Sequence, residues 1–318
     1  MGRYETVVDP RARNASQSLE VELVGEDQRV LDVGCASGYL ADALIARGCV
    51  VSGFEMDREA AEIARPKLER LVVGDLETLP LAEAFAGSRF DRIVFGDVLE
   101  HLTDPAAVLR SAVDVLEDDG EIVISVPNVT HGSLRLALLA GRWRYTETGL
   151  LDSTHIRFFT YDGLVGLLGS VGLVVREAWG TCKDPLRAEV EVPEDELPEG
   201  AVEWVRDQPH AYFYQFVVRA SRGEAGSEPP EVRPAISIDE IRPDDRHSSD
   251  ARERQAARSR QARRAARVGP LERELADARR DRDRVLASNS WRVGRAVTAP
   301  VRLLRRLTRS GRPRSEHG

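Results

Sequence analysis

The chain has 318 residues, 42% of them hydrophobic and 31% charged, which is length for about two domains and composition for at least one apolar core. Its net charge of −8 hides a division: residues 251–318 carry 20 arginines against 7 acids, a net of +13, which leaves −21 on the first 250 residues. Three cysteines without a CxxC spacing exclude a disulfide framework and a cysteine-based zinc site, no apolar run approaches the ~20 residues of a membrane span, and no signal peptide is expected, which argues against secreted, fibrous and integral-membrane classes.

In chain order, Arg29–Val33 is a short apolar strand ending at Gly34, and Tyr39–Arg47 has helical spacing with Gly48 to stop it. Val50–Phe54 reads as a second strand, Arg58–Leu68 as a helix, Leu71–Val73 as a third strand and Asp91–Phe95 as a fourth. Pro105–Leu116 is a helix closed by Asp118-Asp119-Gly120, and Glu121–Val126 is a fifth strand. Tyr161–Ser170 is helical, and Leu173–Ala178 and Ala211–Ala220 are two further strands, suited to an antiparallel pair at one edge. Strands alternating with helices in this way indicate βαβ units. The expected fold is therefore α/β, doubly wound, with a mostly parallel seven-stranded sheet. Residues 1–222 form the folded domain. Residues 223–250, rich in Pro, Glu, Asp, Ser and Gly, read as a disordered, flexible linker, and 251–318 as a basic helical, amphipathic tail.

The first strand runs into Gly34-Cys35-Ala36-Ser37-Gly38, a turn whose glycines allow tight bends and close approach of a ligand. Taken alone, that turn fits a tight βα connection as well as a ligand site. Its context favours a ligand. Glu55 closes the second strand, where a carboxylate can accept both ribose hydroxyls of a nucleoside. Asp75 follows the third strand and Asp97 the fourth. Acids at successive strand tips disfavour a phosphate-rich dinucleotide and suit a positively charged, phosphate-free nucleoside.

The ordered segments LDVGCASG, GFEMD, GDLETLPL, FDRIVFGDVLEHLTDP and GEIVISVPN, within residues ~30 to ~180, resemble class I S-adenosylmethionine-dependent methyltransferases. They are similar to the branch of the ubiquinone-biosynthesis O-methyltransferases. The resemblance implies that Asp32, Gly34, Cys35, Ala36 and Gly38 hold the methionine part of S-adenosyl-L-methionine, that Glu55 binds the ribose, that Asp75 and Leu76 flank the adenine, and that Asp97 lies beside the methionine end. Ala36 departs from the family, which often has Gly there.

The segment after the fifth strand carries His131, then Gly141-Arg142-Trp143-Arg144-Tyr145, then Asp152-Ser153-Thr154-His155-Ile156-Arg157-Phe158. It resembles the substrate-side region of methyltransferases of bacterial surface-polysaccharide synthesis, and it reads as a lid of aromatic and ionisable groups. The implied reaction is displacement at the sulfonium methyl by a sugar hydroxyl. A base within reach of that hydroxyl helps. His155, oriented by Asp152, is the first candidate and His131 the second; each also fits a structural histidine bonded to a helix end, as does His101. No metal is expected, although Asp152, His155 and a nearby acid fit a divalent ion. Quinone, lipid or other phenolic acceptors are the rival class, and RNA is a further one.

In the tail, Trp291 precedes Pro300-Val301-Arg302-Leu303-Leu304-Arg305-Arg306-Leu307, which is amphipathic and basic and suits an anionic membrane surface. Asp277, Asp281 and Asp283 interrupt the arginines and argue against nucleic acid as a partner. The expected location is the cytoplasm, peripheral at the inner face of the cell membrane, with a glycan or small molecule as acceptor.

Overall fold

The computed structural model describes residues 8–242 apart from 10, 225 and 227. Strand β1 (Arg29–Val33) shows why a parallel sheet forms. Val30 and Leu31 point to opposite faces and both are fully buried, so each face needs its own helical cover. Beside β1 run β2 (Val50–Glu55), β3 (Arg70–Val73), β4 (Phe90–Gly96) and β5 (Leu116–Pro127), in the order β3-β2-β1-β4-β5 and all parallel. Helices α1 (Ser16–Val24) and α2 (Tyr39–Ile45) cover one face, where Leu19, Leu23, Leu40 and Leu44 pack on Val30, Val51, Val94 and Val123. α3 (Arg58–Ala64) follows β2 and is capped by the Asp57 carboxylate. α4 (Leu81–Ala84), α5 (Pro105–Val115) and, later, α7 (Tyr161–Ser170) bury Phe85, Leu109, Leu164 and Leu168 against Leu31, Phe54, Ile93, Phe95 and Ile122 on the other face.

After β5 the chain forms α6 (Gly132–Leu139), the loop through residue 160 and α7, and then turns antiparallel. β6 (Leu173–Cys182) pairs with β7 (Phe213–Arg222), which lies between β5 and β6, and α8 (Ala201–Arg206) sits in their connection. The expected helices and strands appear, with two local differences. α5 stops at Val115 and β5 begins at Leu116, with a register irregularity where it meets β4, so Asp118-Asp119-Gly120 lies in a bulged strand rather than in a free turn.

The expected linker also needs correction. Residues 228–242 return to the sheet. β8 (Arg233–Pro234) pairs in parallel with Trp179 and Gly180, α9 (Ile238–Ile241) follows, and Val232 is buried in the core. The sheet therefore has eight strands among the described residues, and the folded body extends to 242. The reason is physical: Val232, Ile236 and Ile241 supply apolar surface that a free linker would leave in water. The expectations for residues 243–250 and for the tail 251–318 lie outside the described residues.

One buried ion pair fastens the β6–β7 connection. Arg206 of α8 and Asp184 are 1% and 0% exposed, and the guanidinium donates three bonds of 2.9–3.1 Å to the carboxylate. Removing one partner of such a pair strands the other charge in the interior, at a cost of about 3–5 kcal/mol. Arg206→Ala is accordingly expected to lower unfolding stability by that amount in urea melts. A loss below about 1 kcal/mol would mean that water reaches Asp184.

Candidate functional site

The site lies at the carboxyl ends of β1, β2, β4 and β5. Its first part is the turn after β1. Gly34 adopts a left-handed φ of 74°, and a side chain there would meet Val98 at 2.8 Å. Gly38, also left-handed, starts α2. Ala36 takes φ 46° although it has a Cβ, a conformation costing a non-glycine residue about 1–2 kcal/mol. What holds it there is Glu55. One carboxylate oxygen accepts the Ala36 N–H at 2.8 Å and the other accepts the Asp57 N–H at 2.7 Å. Each oxygen retains a lone pair for a further donor. The Cys35 N–H donates to the Phe54 carbonyl, and its buried thiol is pushed upward in pKa by burial, so it is an inert packing group. Lys67, one of only two lysines, bonds the Ser37 and Gly38 carbonyls and the Asp42 carboxylate and pins the same turn. The sequence reading did not single it out.

The second part is a set of buried carboxylates. Asp32 is 3% exposed, one of its oxygens has no hydrogen-bond partner, and burial followed by the charge of Glu55 raises its pKa to about 7. Asp97, in a left-handed conformation at the exit of β4, accepts from the Ser125 hydroxyl, and both of its oxygens accept from the Gln215 side-chain amide nitrogen at 2.9 Å. Its pKa is still raised by burial. Glu20 on α1 joins them, and burial, then Asp97, raises its pKa to about 8. Sequence reasoning missed Glu20, because α1 buries Ser16, Ser18 and Glu20 alongside its leucines and valines and so carries no clean amphipathic stripe. Asp75 is exposed after β3 and accepts the Glu77 N–H, and Leu76 is half-buried beside it. Several carboxylates with little counter-charge make a site for a cationic group.

The third part is the acceptor side. His155 faces Glu100, with Nε2 at 4.0 Å from a carboxylate oxygen, and its ring lies edge-on to His101 at 4.9 Å. Burial, then the neighbouring His101, lowers the pKa of His155 and keeps it neutral. Asp152 acts on it through charge and shapes the turn by accepting the Thr154 N–H and hydroxyl.

His131 is placed differently from the sequence expectation. It is fully buried and caps α6, with Nδ1 bonded to Ser133 and Nε2 to the Lys183 carbonyl. Both ring nitrogens are engaged, and burial lowers its pKa to about 4. It is a structural residue. Glu100, His101 and His155 each offer a ligand atom within 4.8 Å of the others.

The raised pKa values have a thermodynamic consequence. Asp32 and Glu20 hold protons in the fold up to about pH 7 and 8, while the unfolded chain releases them near 4. Between those limits the folded state binds more protons, so stability falls as pH rises. Above about pH 6.5, where the buried histidines no longer oppose the trend, the unliganded protein is expected to melt at progressively lower temperature up to pH 8.5, and Asp32→Asn with Glu20→Gln should flatten that slope. Calorimetry across the range checks it; a melting temperature rising over the same interval would contradict the burial of these acids.

Comparison with known proteins gives a consistent picture. A family profile described as methyltransferase domain matches residues 8–178. A ubiquinone biosynthesis O-methyltransferase of Cereibacter sphaeroides is 29% identical over 175 residues, which cover 54% of this chain and 70% of that protein. One of Xanthomonas euvesicatoria is 30% identical over 176 residues, covering 54% and 72%. Among solved structures, magnesium protoporphyrin IX methyltransferase of Synechocystis with bound S-adenosylhomocysteine shares 16% identity at a TM-score of 0.43, covering 67% of this chain and 83% of that one.

Proposed function

The chain belongs to the methyltransferase-domain family and is an S-adenosylmethionine-dependent methyltransferase, and we propose that it methylates a hydroxyl oxygen, in the first place that of a sugar in a surface glycan. The observation that carries this reading is the neutral imidazole of His155 beside the carboxylate cluster at the strand tips. The sulfonium of the cofactor is the cation that suits those acids. The Gly34–Gly38 turn with Asp32 takes the methionine part, Glu55 has lone pairs for the ribose, Asp75 and Leu76 flank the adenine, and Asp97 stands toward the methionine end.

Catalysis then needs two things. The acceptor oxygen must lie in line with the C–S bond, so that the entropic cost of the encounter is met on binding. Its proton must leave, because a sugar hydroxyl is a weak nucleophile. His155 is placed to receive that proton. Trp143, Tyr145 and Phe158 form a partly exposed aromatic cluster on the same lid, packed edge to face with ring contacts of 5.4 and 6.4 Å, and an open ring face there suits the apolar face of a sugar ring. A phenolic acceptor is the second reading. It is favoured by the relatives' description as ubiquinone biosynthesis O-methyltransferases, and its more acidic oxygen asks less of a base. The acidic edge of the sheet disfavours RNA.

His155→Ala is expected to lower kcat by about 10²–10⁴-fold with S-adenosylmethionine affinity unchanged. Radiolabelled methyl transfer to nucleotide-sugars or oligosaccharides and to catechols separates the two acceptor classes. Turnover confined to nitrogen or carbon nucleophiles would remove the hydroxyl reading.

The tail supports a proposal about place: cytoplasmic, held at the anionic inner face of the membrane. A net of +13 on residues 251–318 is attracted at about 1 kcal/mol per arginine close to the surface, while the −21 of the preceding chain is repelled. Because β8 and α9 belong to the fold, the informative truncation is after Pro243. It should keep methylation of a soluble acceptor and lose binding to liposomes containing phosphatidylglycerol. Equal sedimentation of the full-length and truncated proteins would assign the tail to another partner.

A further inference from the structure

Glu100 is the least reconciled side chain of the described fold. It sits in the single 3-10 turn Leu99–His101, directly after β4, and is 1% exposed. Neither of its carboxylate oxygens has a hydrogen-bond partner. The charges around it are the wrong ones: Asp97, Glu20 and Asp152 all act on it with the same sign. A carboxylate in that position is missing a cation.

The neighbouring groups are suited to share one. His155 Nε2 lies 4.0 Å from Glu100 Oε1, and His101 stands against His155. The His101 imidazole is oriented through a main-chain carbonyl. His101 Nδ1 is 3.2 Å from the Thr154 carbonyl, which can only accept, so Nδ1 carries the proton and Nε2 a lone pair. The His155 ring turns its Nε2 toward Glu100. A ligand imidazole held by a carbonyl on its other nitrogen is the usual outer-shell device of metal sites. The main chain joins the two segments as well: the Ile156 and Arg157 N–H groups both donate to the Glu100 carbonyl at 2.9 Å.

We propose that Glu100, His101 and His155 form a binding site for one divalent first-row metal ion, its remaining positions open toward the acceptor oxygen. Two imidazoles and a carboxylate suit zinc, manganese or iron(II) better than calcium, which takes oxygen ligands. Ligand atoms up to 4.8 Å apart must draw together by roughly 1 Å around an ion at about 2.1 Å from each. The ion would act as a Lewis acid. The acceptor hydroxyl coordinates and its proton passes to water. The oxygen then forms a bond to the sulfonium methyl as the C–S bond breaks, the electron pair staying on sulfur to leave S-adenosylhomocysteine. This catalytic role rests on the hydroxyl-acceptor reading; the ion site does not. His155 then acts as a ligand rather than as the base.

The test uses the untagged full chain, stripped with chelator and titrated calorimetrically with zinc and, separately, with manganese. One equivalent is expected to bind, with a rise in melting temperature. His101→Ala and His155→Ala should each weaken binding by more than about 100-fold, beyond the cost of losing an outer-shell partner. Glu100→Gln keeps the shape and removes the charge. It should melt higher than wild type in the stripped state and gain nothing from the ion. The absence of a one-equivalent site in wild type, or an undiminished ion-induced rise in Glu100→Gln, would overturn the proposal. If the stripped enzyme methylates hydroxyl acceptors at full rate, the catalytic role falls while the hydroxyl reading stands with His155 as base. Binding lost in the variants, together with turnover on nitrogen acceptors only, would keep the ion site and remove the hydroxyl reading.

Discussion

The placement of uncompensated carboxylates at the strand tips is the constraint on which this structure turns. Asp32, Glu20, Asp97 and Glu100 are buried or half-buried, and each has its pKa raised by desolvation. A sheet whose interior is otherwise Val, Leu, Ile and Phe would be more stable with apolar groups there. The fold tolerates the acids because their stabilisation arrives with a ligand. Everything nearby serves to hold them: Ser125 and Gln215 fix Asp97, Glu55 fixes the turn that covers Asp32, and Lys67 fixes the same turn from outside. Under the proposed function, these carboxylates stand in place before the cofactor enters.

Much of this was legible in the residues. The apolar runs of β1, β2 and β4 are buried on both faces, so they read as continuous hydrophobic strands and their ends are marked by glycine or an acid. Asp32, Glu55 and Asp97 stand at those ends, where the parallel order makes the ligand edge unavoidable. The rest depended on contacts far apart in sequence. His131 looks like any other lone histidine, and only the approach of the Lys183 carbonyl, 52 residues on, shows that both nitrogens are used. Glu20 meets Asp97 across the sheet, a pairing no local pattern announces. β8 is two residues long, too short for any periodicity, and its burial comes from Val232 beside it.

The lid divides its labour in a similar way. Residues 152–157 are tied by main-chain bonds to the turn after β4, while Trp143 and Phe158 meet only through their rings. The ionisable groups are thus held to the sheet, while Trp143 packs on the separate cluster of Leu134, Ala137, Leu150, Leu151 and Val190. That suits an enzyme whose chemistry at the methyl group is constant and whose acceptor must be fitted.

The short β8 also shields the protein against its own neighbours. β8 covers the outer edge of β6 at Trp179 and Gly180, where open N–H and C=O groups would otherwise offer a template on which another chain could add a strand. Pro234, which lacks an N–H, lies at the new edge and cannot extend the ladder further. A proteolytic cut between 223 and 230 would release this cover and expose the Trp179 edge while leaving the seven preceding strands paired. The damaged protein is therefore expected to be lost through intermolecular strand pairing and aggregation, well before its catalytic half unfolds.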